Sequence, residues 1–306
     1  MWSDRGESTA CCRSRSVPTG YVVANDVRVF YVEEGDGPLV LLCHGFPELA
    51  YSWRNQMAPL AEAGFRAVAI DLPGYGRSDK PDVTYDVVWL CECLAGVVEA
   101  LGAERAVVVG HDWGGLLAWP LARLHPDRVA GVIGVNTPDM PLPPVPPTEY
   151  FRRHKSNKVN YILEFQKRDE PEAFFEADTK AALELFFKGP VTTHTEVFTD
   201  EVMQVYVDAF SPKGAMTPPL EYYRNIDRNW ELMAYLDLDQ IEVPCLMISA
   251  ANDFILHPGL TKNMEARVPN LTKVVIDDCG HWTQQEQPEV MTEHMLAYLK
   301  ELETWS

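Results

Sequence analysis

Asp112 stands at the centre of Gly110-His111-Asp112-Trp113-Gly114-Gly115, between the apolar run Ala106–Val109 and a helix-like segment. Small residues around one reactive side chain, at a sharp strand-to-helix turn, form a nucleophile elbow that lifts this side chain above the sheet edge. The usual centre is serine, and a carboxylate there changes the chemistry. Attack on a carbonyl would give a labile anhydride, whereas attack on an sp3 carbon displaces a leaving group and gives an alkyl ester that water can cleave. The electrophile is therefore an epoxide or an alkyl halide. Asp112 needs no activating base, because a carboxylate of ordinary pKa is ionised near neutral pH.

The second step does need a base. Asp253 follows the run Val243–Ser249 and His281 follows Lys273–Ile276, so nucleophile, acid and histidine come in the chain order of triads built on parallel sheets. His281 would take a proton from water, and Asp253 would orient its ring and stabilise the imidazolium. Asp139, after Val129–Val135, is a rival acid; Asp277 and Asp278 lie too close to His281 along the chain to meet its ring. His44-Gly45-Phe46-Pro47 follows Leu39–Cys43, where a backbone donor for an oxyanion belongs. The N–H groups of Phe46 and Trp113 are the expected donors, each worth roughly 3 kcal/mol of barrier. Glu48 and His111 read as supporting residues.

Holding these groups takes a sheet and its helices. Val27–Tyr31, Leu39–Cys43, Arg66–Ile70, Ala106–Gly110, Val129–Val135, Val243–Ser249 and Lys273–Ile276 read as strands. Tyr85–Leu101, Gly114–His125 and Pro288–Leu302 read as helices. Alternation of the two means an α/β domain with a mostly parallel sheet. It breaks at Pro138–Pro147, where six prolines in ten residues exclude a helix or strand interior. From about Tyr150 to Tyr235 the pattern is helical, and 15 of the chain's 32 aromatic residues fall between 140 and 240. The expected organisation is a core of residues 18–139 and 241–306, an inserted helical cap of 140–240, and a disordered leader of 1–17.

Composition narrows the partners. The 306 residues carry 26 Lys+Arg against 45 Asp+Glu, a net charge of −19, which argues against nucleic acid and anionic membrane. No run approaches the roughly 20 apolar residues of a membrane span, and the first 17 residues lack the apolar segment of a secretory signal. The seven cysteines are scattered, without CxxC or zinc spacing, as expected for reduced structural thiols in a cytoplasmic protein. Gly74-Tyr75-Gly76 lacks the third glycine of a dinucleotide loop and opens no helix, so no cofactor is expected; the remaining histidines are too dispersed for a metal.

The chain resembles the epoxide hydrolases of the α/β-hydrolase fold, of the cytosolic type, from about Val22 to Leu302. HGFPE (His44–Glu48), YSWR (Tyr51–Arg54), DLPGYGRSDKP (Asp71–Pro81), GHDWGG (Gly110–Gly115), HPDRV (His125–Val129) and CGHWTQ (Cys279–Gln284) carry the resemblance in order. It implies hydrolysis of a small-molecule epoxide to a vicinal diol through an ester on Asp112. It also implies two cap tyrosines that meet the opening oxygen, a role suited to phenols. Tyr161, in Tyr161-Ile162-Leu163-Glu164-Phe165-Gln166, and Tyr223, before Arg224-Asn225, match those positions; Tyr222 stands where the family often has tryptophan and is expected to line the pocket. Haloalkane dehalogenases, which resemble the core, place an asparagine donor at the Phe46 position, and haloacetate dehalogenases place arginine at the Trp113 position. Both departures favour the epoxide. A dehalogenase, or in another class a non-catalytic ligand-binding member of the fold, are the alternatives. The assembly is open, with a homodimer as the candidate.

Overall fold

The computed structural model describes residues 18–154, 160–236 and 240–302. The expected leader and Cys11 and Cys12 lie outside the described residues. Eight strands form one sheet: β1 (Thr19–Ala24), β2 (Val27–Glu34), β3 (Leu39–Cys43), β4 (Arg66–Ile70), β5 (Ala106–His111), β6 (Val129–Val135), β7 (Cys245–Ala250) and β8 (Leu271–Ile276). Their spatial order is β1-β2-β4-β3-β5-β6-β7-β8. From β4 to β8 neighbours run parallel, in registers such as Val40 beside Val107 and Val132 beside Cys245; β2 pairs antiparallel with both β1 and β4.

β3, β5, β6 and β7 are buried at every residue, which explains why they read as continuous apolar runs. Alternate side chains feed two cores. Leu39, Leu41 and Cys43 pack on one face with Leu90 and Leu94 of α2 (Val87–Ala100, after α1) and Leu117 and Leu121 of α3 (Trp113–Leu124). Val40 and Leu42 pack on the other with Met57 and Leu60 of α1 (Arg54–Glu62). Each such buried Leu or Val stabilises the fold by about 1.5–3 kcal/mol relative to exposure.

Between β6 and β7 come α4 (Pro147–His154), α5 (Asn160–Glu164), α6 (Glu170–Ala177), α7 (Thr179–Phe187), α8 (Asp200–Phe210), α9 (Thr217–Arg224) and α10 (Ile226–Leu236). After β8 follow α11 (Thr283–Glu286) and α12 (Pro288–Glu301), whose Met291, Met295 and Leu299 complete the second core. Phe165, Phe175, Phe187, Tyr206 and Phe210 join the first core, so the inserted helices pack on the sheet domain's own apolar cluster. They are also tied to α2: Asp86 caps it through Trp89 N–H (3.0 Å) and binds Arg228 Nε (2.8 Å), while Val87 N–H donates to Asn229 Oδ1 (2.8 Å).

Differences from expectation have local causes. β1 is an additional strand: an edge strand, exposed or half-exposed along most of its length, lacks the apolar run that marks the central ones. α2 starts at Val87, two residues late, because Asp86 takes the capping position. β7 starts at Cys245 because Pro244 has no N–H for the ladder.

Candidate active site

Asp112 is held at φ 50°, ψ −115°, between the end of β5 and the first turn of α3. Few non-glycine residues adopt a positive φ, and the surroundings impose this one. Gly114 N–H donates to His44 O (3.0 Å), and Thr137 Oγ1 donates to Asp112 O (3.0 Å). The packing leaves no room for side chains beside the turn. A Cβ on Gly114 would lie 2.1 Å from Cys43 O, and one on Gly45 would lie 2.3 Å from Asp112 Cβ.

That close approach of the β3 loop brings Phe46 N–H onto Asp112 Oδ1 at 2.8 Å. The other expected donor, Trp113 N–H, belongs to the first turn of α3, whose amides lack acceptors within the helix. Asp112 Oδ2 is 3.8 Å from His281 Nε2. The opposite ring nitrogen, Nδ1, donates to Asp253 Oδ2 at 2.7 Å. Asp253 is fully buried, and its Oδ1 accepts from Ile255 and Leu256 N–H, both at 2.9 Å. Burial alone would raise the Asp253 pKa, but the facing His281 charge and these hydrogen bonds hold it down to about 2. Burial would lower His281, yet Asp253 and then Asp112 outweigh it and push the ring up to about 9. The ring stands between two carboxylates, which together favour its imidazolium form.

The rival acid is spoken for. Asp139 makes a bidentate pair with Arg123 (2.8 and 2.9 Å), and its Oδ2 also meets Arg267 Nε at 2.7 Å. The Asp278 carboxylate lies 3.4 Å from His194 Nε2, and its carbonyl accepts from the same nitrogen (2.8 Å).

Tyr161 of α5 and Tyr223 of α9 stand together, with Tyr223 against Phe46, whose N–H meets Asp112. Tyr161 and Tyr223 meet edge to face, with centroids 5.9 Å apart, and Tyr223 also packs edge-on against Trp113 at 5.0 Å. Burial first, and the nearby Asp112 charge among the further causes, raise both phenols above their ordinary pKa, so each keeps its proton for donation. Tyr222 is brought against Trp113 (5.5 Å between centroids), but its hydroxyl turns away and donates to Pro73 O at 2.6 Å. It supports the wall formed by Trp113 rather than presenting a polar group to Asp112. Phe46 packs with Phe165, Phe175, Phe186 and Tyr223, giving the site an aromatic side.

Beneath the histidine lies a polar layer that sequence reasoning resolved only in part. His111 Nε2 donates to His281 O (2.7 Å), and its Nδ1 meets Glu48 Oε2 (2.8 Å). Gln284 and Gln285 donate to Glu48 Oε1 at 2.7 and 2.9 Å. Asn136 was missed: its Nδ2 donates both to His281 O and to Asp253 Oδ2, each at 2.9 Å. Its signal was the asparagine directly after β6, a residue type suited to the left-handed turn it makes (φ 59°). Among the described residues no His, Cys, Asp and Glu group has the arrangement of a metal site.

This geometry is that of a hydrolytic site on a parallel sheet, and the comparisons agree. Residues 38–288 match the family model described as alpha/beta hydrolase fold. Epoxide hydrolase A of Mycobacterium tuberculosis (strain ATCC 25618 / H37Rv) is 37% identical across 94% of this chain and 98% of its own. The bifunctional epoxide hydrolase 2 of Rattus norvegicus is 38% identical across 94% of this chain and 56% of its own, so the chain spans about half the length of the curated mammalian relatives it matches. The crystal structure of epoxide hydrolase A from Mycobacterium thermoresistibile superposes with a TM-score of 0.85 at 34% identity, covering 94% of this chain and 99% of that one. The chain belongs to the alpha/beta hydrolase fold family and, within it, to the epoxide hydrolases.

Proposed function

We propose that the protein hydrolyses epoxides to vicinal diols through an alkyl ester on Asp112. The observation that carries this reading is an anchored Asp112 facing the His281–Asp253 pair, with Tyr161 and Tyr223 together beside Phe46 and Trp113. Phe46 N–H fixes Oδ1, leaving Oδ2 to attack carbon while Tyr161 and Tyr223 meet the epoxide oxygen. Ring opening forms the C–O bond to Asp112 and breaks the C–O bond of the epoxide; a tyrosine proton passes to the departing oxygen.

Ester formation also prepares the second step. It removes the Asp112 charge, one of the causes that raise His281. The imidazolium then gives up its proton more readily, returning it to the tyrosinate that ring opening leaves, and neutral Nε2, which stands 3.8 Å from Oδ2 in the free site, can take one from a water beside the ester carbonyl. Water attacks the ester carbonyl, Phe46 and Trp113 N–H hold the oxyanion, and Asp253 stabilises the renewed imidazolium. Collapse of the oxyanion breaks the ester C–O bond; the departing oxygen takes the proton of the new Asp112 carboxyl, which frees the diol and restores the carboxylate. Residues 140–240 act as the cap that supplies the two phenols. Phe46 has no side-chain donor for a halide, which weighs against a dehalogenase.

No helix among the described residues is long and apolar enough to cross a membrane. A cytoplasmic location and a homodimeric assembly complete the proposal, the latter to be checked by sedimentation. The test of mechanism is a single turnover of styrene oxide in 18O-enriched water with enzyme in excess. Label is expected in Asp112 and not in the first diol; label in that diol means direct attack by water and refutes the ester route.

A further inference from the structure

Glu286 closes the short helix α11, five residues beyond His281, and the mechanism above gives it no part. Its carboxylate is buried and receives four backbone N–H groups. Oε2 accepts from Thr193 (2.7 Å), His194 (2.9 Å) and Gly280 (3.1 Å), and Oε1 accepts from Trp282 (2.9 Å). Two donors belong to the inserted segment after α7, and the other two flank His281. The same stretches are joined where His281 N–H donates to Val191 O (2.8 Å) and Trp282 Nε1 donates to Thr192 Oγ1 (3.1 Å).

We propose that Glu286 is a positioning residue for ester hydrolysis: it clamps the His281 loop to the 191–194 segment of the insertion and so sets where Nε2 stands over Asp112. The proposal rests on the Asp112 and His281 roles given above. A carboxylate suits the task because it is acceptor-only, with about four lone-pair sites for four donors. An amide has one accepting oxygen, and its NH2 must face either Trp282 N–H or the other three. In this buried place two facing donors move apart, and two of the four amides adjoin His281. A shift of about 1 Å in a catalytic group costs about 10²-fold in rate. Alkylation uses Asp112, Phe46, Tyr161 and Tyr223, none of which lies on this loop.

The two half-reactions therefore separate. Wild type, Glu286→Gln and Glu286→Asp are mixed with styrene oxide, enzyme in excess, and quenched at intervals for mass analysis of the Asp112 peptide. Glu286→Gln is expected to alkylate within about threefold of wild type and to hydrolyse the ester about 10- to 100-fold more slowly, so that ester accumulates. Glu286→Asp, which keeps acceptor oxygens on a shorter arm, is expected to hydrolyse faster than Glu286→Gln. The alkylation amplitude reports the correctly folded fraction. Ester hydrolysis at the wild-type rate in Glu286→Gln, or parallel loss of both half-reactions, overturns the proposal. If Glu286→Gln does not fold, the same two criteria apply to Glu286→Asp. Absence of ester from the wild type and from both variants refutes the Asp112 reading itself.

Discussion

Replacing Asp253 by asparagine tests the geometry most directly. The carboxylate has two pairs of donors: Ile255 and Leu256 N–H on Oδ1, Asn136 Nδ2 and His281 Nδ1 on Oδ2. The amide oxygen of Asp253→Asn goes to the backbone pair. Its NH2 then faces Asn136 and His281, and the ring can meet it only with Nδ1 unprotonated and Nε2 carrying the hydrogen. That tautomer cannot take a proton from water. The lost charge adds to this. Raising His281 from 6.5 to about 9 corresponds to about 3 kcal/mol in favour of the imidazolium, with Asp253 the foremost contributor. Forfeiting about that much as positive charge develops slows ester hydrolysis about 10²-fold, before the tautomer is counted. Alkylation needs no base and should persist. Rapid-quench mass spectrometry of the Asp112 peptide should show ester forming at near the wild-type rate and then persisting. Ester hydrolysis within about threefold of wild type would refute the reasoning and return the acid role to another residue.

Tyr161→Phe and Tyr223→Phe should each slow ring opening while sparing hydrolysis of preformed ester, and the double variant should lose more than either; stopped-flow alkylation rates check this. Asp139→Asn should leave ester hydrolysis unchanged but destabilise the fold by about 3 kcal/mol, since it removes the charge of a buried carboxylate that meets both Arg123 and Arg267; urea titration measures it. The raised His281 contributes stability that is full below its unfolded pKa of 6.5 and is lost as pH rises through about 9. The depressed Asp253 contributes stability that is full above its unfolded pKa of 3.8 and is lost as pH falls toward about 2. Wild-type unfolding free energy should therefore fall between pH 6.5 and 9, and His281→Gln should flatten that fall.

The central strands were legible because a strand buried on both faces has no polar residue to blur it. β3, β4 and β6 run over the residues expected from sequence. The elbow was legible because its glycines answer to backbone contacts that no side chain survives. The insertion reads as helical and aromatic, but not as the seven α-helices of its described residues, since its apolar residues serve the sheet domain's core as well as one another. Tyr222 and Tyr223 are adjacent on α9, and the Arg224-Asn225 that follows singles out Tyr223. What the sequence does not hold is the Pro73 carbonyl that takes the Tyr222 hydroxyl while both rings pack edge-on against Trp113. Asn136 was unreadable for a related reason: its partners, His281 and Asp253, arrive from two later strands.

The strand directions have a practical corollary. Phe46, Asp112, Asn136, Asp253 and His281 all follow the carboxyl ends of parallel strands, so the amino ends open on the opposite rim. The turn between α2 and β5 lies on that rim, with Gly102 and Glu104 exposed. A tether built into residues 102–104 would attach the molecule by its back, with the reactive rim and the inserted helices facing away from the support.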